Sequence, residues 1–130
     1  MKIIDGKNAV MGRLASYAAK EALKGEEVVV LNCEKVIITG SKENTLKEFM
    51  EQRSRIGSGQ KGPKHIKKSD MMVKRVIRGM LPNYRDGRGM NAFRRIKCYT
   101  GIPKEFESSK KIIAGKEKKV KFSRVEEFAK

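Results

Sequence analysis

The residues best equipped for chemistry lie between Ser69 and Gly101, in the run SDMMVKRVIRGMLPNYRDGRGMNAFRRIKCYTG. The chemistry they suit is anion binding. Val73, Val76, Ile77 and Met80 recur at helical spacing, so Lys74, Arg75 and Arg78 fall away from their apolar stripe. Arg85 and Arg88 follow in a glycine-rich turn. Arg94, Arg95 and Lys97 then surround a second short repeat made by Met90, Phe93 and Ile96. Just upstream, residues 57–68 read GSGQKGPKHIKK and contribute Lys61, Lys64, Lys67 and Lys68. Glycines and a proline argue against regular structure there, so this stretch reads as a basic loop or arm. A surface attached to a core on one side and cationic on the other fits a polyanion.

The distribution of charge sharpens that reading. The chain carries a net charge of +16 over 130 residues. Residues 1–52 hold eight basic and eight acidic side chains, residues 53–97 hold fourteen and two, and residues 98–130 hold nine and five. A local excess of this size opposes folding by self-repulsion unless an anion meets it. Clustered Lys and Arg are the electrostatic footprint of a nucleic-acid partner. A membrane partner is not supported: no apolar run approaches the ~20 residues that cross a bilayer. The start, MKIIDGKN, also lacks the apolar core of a signal peptide. Sequence-specific DNA regulators present a recognition helix to base edges, usually as symmetric dimers. Dispersed cations among glycine-rich turns suit irregular RNA better. A DNA- or mRNA-binding regulatory protein is the alternative.

Other chemistry finds little footing. Gly6 and Gly12 bracket a turn between a strand and a helix, where backbone N–H groups can hold phosphate. A nucleotide-binding loop of the Walker type needs four residues between its glycines, then Lys and Ser or Thr. Here five intervene, followed by Arg13 and Leu14. His65, the single histidine, stands among lysines without an adjacent carboxylate to orient it as a base. Cys33 and Cys98 are far apart and form no CxxC, so free buried thiols are expected rather than a disulfide or a metal site. No catalytic residue or metal ligand is expected.

Those cations must be positioned by an α/β fold. Lys2–Asp5 is a short strand. Residues 11–24 form a helix with Met11, Leu14, Ala15, Ala18 and Ala22 inward, capped by Gly25. Glu27–Asn32 carries an unbroken β-branched run, the mark of a strand buried on both faces of a parallel sheet. Strand, helix and buried strand make a right-handed βαβ unit. Val36–Thr39 is another strand whose place is left open. Ser41 starts a helix expected to bury Leu46, Phe49 and Met50. Ser69 and Asp70 are expected to cap the next helix, and Pro82 ends it. Residues 97–100 form a strand, and Ser123 is expected to cap a final short helix over residues 124–130.

Four stretches in order, IDGKNAVMGRLAS, VVVLNCEKVIITG, VKRVIRGMLP and GMNAFRRIKCYTGIP, cover most of the chain up to Pro103. On these the sequence resembles the large-subunit ribosomal protein L-thirteen family, in its archaeal form. The run from Arg78 to Pro82 is the most specific. The resemblance implies a three-layer α/β/α domain with a small, mainly parallel sheet over residues 1–103, followed by a C-terminal extension over residues 104–130. It implies a cytoplasmic, ribosome-bound constituent of the large subunit that contacts large-subunit rRNA and neighbouring ribosomal proteins and supports early assembly. It also implies neither catalysis nor a cofactor. At matching positions it implies RNA contacts by Lys74, Arg75, Arg78, Arg88, Arg94 and Arg95.

Overall fold

The computed structural model describes residues 1–54, 67–113 and 121–128. Its first unit is β1 (Lys2–Asp5), α1 (Met11–Leu23) and β2 (Val28–Leu31). The helix forms because Leu14, Ala15, Ala18, Ala19 and Ala22 share one face, and all five are buried. Small alanines let α1 lie close to the sheet. Gly25 follows the helix at φ +100°, a conformation that side chains resist. The chain then turns into β2, where Val28, Val29, Val30 and Leu31 are all buried.

β2 is the centre of a three-stranded parallel sheet in the order β1-β2-β4, with β4 spanning Ile96–Cys98. Ile3 pairs with Val29, and Val29 pairs with Lys97. On one face Ile4, Val28, Val30 and Ile96 join α1, α3 (Ser69–Gly79) and α4 (Gly87–Arg94) in a single core. On the other face Val29 lines a pocket with Tyr99 and Phe106, whose rings lie 6.0 Å apart. Phe106 comes from a short 3-10 turn at Lys104–Phe106. Further on, Ile112 donates to Ile3 O at 2.8 Å and accepts from Asp5 N at 2.9 Å, extending the β1 edge. The expected α/β class with a mainly parallel sheet is therefore the one observed.

Several local expectations give way to tertiary packing. β3 (Ile37–Thr39) lies outside the parallel sheet and pairs antiparallel with β5 (Phe122–Arg124). Ser123 thus belongs to a strand, and a 3-10 turn at Val125–Glu127 replaces the expected terminal helix within the described residues. Val125 and Phe128 are buried in the main core, so the tail is pinned at its far end. α2 (Lys42–Ser54) buries no residue. Leu46 and Met50 are exposed, and only Phe49 is tied in, stacked on Phe128 at 5.3 Å. Lys68, not Ser69 or Asp70, occupies the cap position of α3, with no side-chain cap bond. Ser69 is instead buried in the first turn. Met80 lies beyond the last helical residue and is exposed, while Met72, Val73, Ile77 and Leu81 fill the core. Met11 is only partly buried, and Ala19 takes a place in the α1 stripe. Ile96 starts β4 one residue earlier than expected.

Two residues lock α4 and the end of the basic segment onto this scaffold. Gly89 faces the turn before α4 so closely that a Cβ would sit 1.6 Å from Pro82 O and 2.6 Å from Asn83 O. Arg95 is half-buried, and its Nη1 donates to Ala22 O at 3.1 Å, at the carboxyl end of α1. A cation there adds a second donor to a carbonyl that already accepts from Gly25 N, and it meets the negative end of the helix dipole. Gly89→Ala is expected to destabilise by more than about 3 kcal/mol, since backbone rather than a flexible side chain blocks the methyl group. Arg95→Ala is expected to lose about 1–2 kcal/mol. Chemical denaturation of each variant against the parent measures both.

Candidate nucleic-acid interface

The cations of the basic segment are brought together by three successive elements. α3 carries Lys74, Arg75 and Arg78 on its outer side, all partly exposed while Val73 and Ile77 are buried. Lys74 and Arg78 are four residues apart and therefore neighbours on the helix surface. The turn after Leu81 carries Tyr84 and Arg85 and is closed by Asn83, whose side chain accepts from Arg85 N at 3.3 Å. Asp86 then caps α4, its Oδ1 accepting from Gly87 N at 2.8 Å. One of the few acidic groups of the segment is thereby occupied by the backbone. Arg88 and Arg94 are exposed on α4, and Lys97 is exposed on the outermost strand of the sheet.

Aromatic rings organise part of this surface. The rings of Tyr84 and Phe93 are 6.3 Å apart and tilted by 51°. Lys74 Nζ lies 4.9 Å from the Phe93 ring centre. Arg78 Cζ lies 4.6 Å from the Tyr84 ring centre, and Arg85 Cζ lies 5.4 Å from the same ring. Each such contact is worth about 0.5–1 kcal/mol at a partly exposed site. Repulsion between like charges at i, i+4 is about 0.2–0.5 kcal/mol. Each ring contact is therefore at least as large as the repulsion within one such pair.

No carboxylate does that work. Among the described residues the salt bridges join the N-terminus to Glu26, Lys24 to Glu21, and Lys42 to Glu127. None involves a cation from residues 67–97. Lys67 and Lys68 are exposed at the amino end of α3. Lys61, Lys64 and His65 lie outside the described residues. Arg53, at the amino boundary of the basic segment, is turned away from this face: it lies 5.5 Å from the Phe49 ring centre and donates to Phe128 O. Arg95 is likewise engaged with α1. The rings bring Lys74, Arg78 and Arg85 together, and Lys67, Lys68, Arg75 and Arg88 stand on the same run of elements, whereas Arg94 and Lys97 line the pocket on the other face of the sheet beside Glu27 and Glu105.

Sequence reasoning missed the part played by Tyr84, and it read Phe93 only as part of an apolar repeat. The available signal was an aromatic directly preceding Arg85 and lying just past the helix that carries Arg78.

The other candidate sites resolve into packing. Gly6 N donates to Leu31 O at 2.8 Å, and a Cβ there would meet that same oxygen at 2.7 Å. Gly6 thus permits close contact with the end of β2. Cys33 is fully buried and Cys98 partly so, both as free thiols. A hydrogen bond with Cys98, then burial, pushes the Cys33 thiol well above its usual range.

Comparison with known proteins agrees with this picture. Residues 1–105 match the family described as Ribosomal protein L13. A relative from Methanopyrus kandleri, "Large ribosomal subunit protein uL13", is 48% identical over 107 residues, covering 82% of this chain and 66% of the relative. The protein of the same name from Methanococcus maripaludis is 49% identical over 106 residues, covering 79% and 77%. That from Methanosarcina barkeri is 46% identical over 113 residues, covering 86% and 79%. The chain spans just under two thirds of the first and more than three quarters of the other two. With its cationic face, its parallel sheet and these matches over most of its length, the chain belongs to the ribosomal protein L13 family.

Proposed function

We propose that this protein is a structural constituent of the large ribosomal subunit, bound to large-subunit rRNA in the cytoplasm and supporting early assembly of that subunit. Its relatives are named as large-subunit proteins, and its own surface fits the same task. The single observation that carries the RNA contact is the set of cations from Lys67 to Lys97 without a carboxylate partner among the described residues. Their mutual repulsion is relieved by phosphates, which also supply most of the affinity. Lys74, Arg75, Arg78, Arg85, Arg88, Arg94 and Lys97 are the proposed contacts, with Lys67 and Lys68 beside them and Lys61 and Lys64 added on charge alone. Arg95 contributes chiefly by holding α1 and β4 in register with that surface. Neighbouring ribosomal proteins are the expected protein partners, and the chain works as scaffold rather than as an enzyme.

Counterion release tests the reading. If about six to eight phosphates are neutralised, the logarithm of the affinity for large-subunit rRNA falls against the logarithm of salt concentration with a slope of about −5 to −7. Filter binding across a salt series measures it. A slope near zero would contradict phosphate binding, and tighter binding to duplex DNA than to rRNA would favour the regulatory alternative.

A further inference from the structure

Aromatic side chains at RNA interfaces ordinarily offer a ring face to an unpaired base. The Tyr84–Phe93 pair is differently engaged. Arg78 and Arg85 both lie over the Tyr84 ring, and Lys74 lies over Phe93. A base stacking on a ring face that a guanidinium covers would have to displace it.

We propose that Tyr84 and Phe93 are positioning residues, which hold Lys74, Arg78 and Arg85 as one preformed three-cation site for RNA backbone phosphates. The site reads the course of the backbone and not the identity of a base. This rests on the RNA-binding reading above and deepens it by naming the RNA group that is bound.

Three features support the assignment. First, attraction to a ring does not require a guanidinium's N–H donors as hydrogen bonds do, and those donors match phosphate oxygens bidentately. Second, long Lys and Arg side chains lose rotamer freedom when they bind. Rings that already restrict them reduce that loss, so the site gains affinity without an added charge. Third, the parts come from separate elements that the fold fixes together. Lys74 and Arg78 stand on α3, Tyr84 and Arg85 on the turn, and Phe93 on α4, while the contact of Gly89 with Pro82 O sets the turn against α4. The backbone therefore brings the rings to the cations, and neither acid of the segment, Asp70 or Asp86, forms a salt bridge with them among the described residues.

The test compares Tyr84→Leu and Tyr84→Phe with the parent chain, using in vitro transcribed large-subunit rRNA over a salt series, with a melting temperature for each protein. Tyr84→Leu keeps apolar bulk and every charge but removes the ring. It is expected to weaken binding about 3- to 10-fold with an unchanged salt slope, because no phosphate contact is deleted. Tyr84→Phe keeps the ring face and is expected to stay within about twofold of the parent. Arg78→Ala, by contrast, should reduce the magnitude of the slope by about one. Parental affinity for Tyr84→Leu would overturn the proposal. So would Tyr84→Phe as weak as Tyr84→Leu, or ultraviolet crosslinking of a base to Tyr84. Should Tyr84→Leu lower the melting temperature by more than about 3 °C, Phe93→Leu is read by the same criteria through Lys74. A parent chain with no salt-dependent affinity for rRNA would defeat the RNA reading itself, and that failure is distinct from any result with the variants.

Discussion

The structure depends on the parallel pairing of β2 with β4. β2 is buried along its whole length, and it can be so only if strands flank it on both edges and helices cover the core face. A parallel neighbour cannot be reached by a tight turn, because the chain must return to the starting edge of the sheet. The connection from Leu31 to Ile96 is therefore a long crossover, and it contains α2, α3, α4 and every cation of the basic segment except Lys97. The strongest apolar constraint in the molecule thus determines where its charge goes. α3 and α4 bury Val73, Ile77 and Ala92 against β2 and its neighbours, which leaves Lys74, Arg75, Arg78 and Arg88 on the outer side.

The two halves of the chain divide the physical work. The neutral half makes β1, α1 and β2, and every described salt bridge involves at least one group from within residues 1–52. The basic segment is left uncompensated by carboxylates. Its repulsion is contained by other means: apolar burial of one helix side, aromatic rings beneath three cations, and the α1 carbonyl that accepts from Arg95. Surface ion pairs would have stabilised the free protein only slightly, and they would have had to be broken for phosphates to bind. Rings offer the same cations a partner that leaves their donors available. In this respect a modest loss of local electrostatic stability in the free chain becomes part of how it recognises a polyanion.

Local patterns carried most of this architecture. The alanine and leucine spacing of α1 and the valine run of β2 were readable because burial repeats with the period of the element itself. The positive side of α3 was readable for the same reason. What was not readable depended on distant partners. The strand from Ile37 to Thr39 pairs with Phe122–Arg124 across most of the chain, and no local signal identifies that partner. Leu46 and Met50 have helical spacing, yet spacing alone cannot tell an occupied apolar face from an exposed one. Arg95 was grouped with the other cations because charge gives no hint of the Ala22 carbonyl. The contact between Arg78 and Tyr84 crosses the helix end and the Pro82 turn, where helical periodicity no longer applies.

We propose that the face built on α3, the following turn and α4 meets large-subunit rRNA. The most direct measurement is crosslinking of the protein to RNA in the native cell, with sequencing of the attached RNA and identification of the crosslinked peptides. The account predicts a few sharp peaks within large-subunit rRNA, joined to peptides from residues 67–97. Crosslinks scattered over many messages or onto DNA, or confined to peptides from the neutral half, would contradict it.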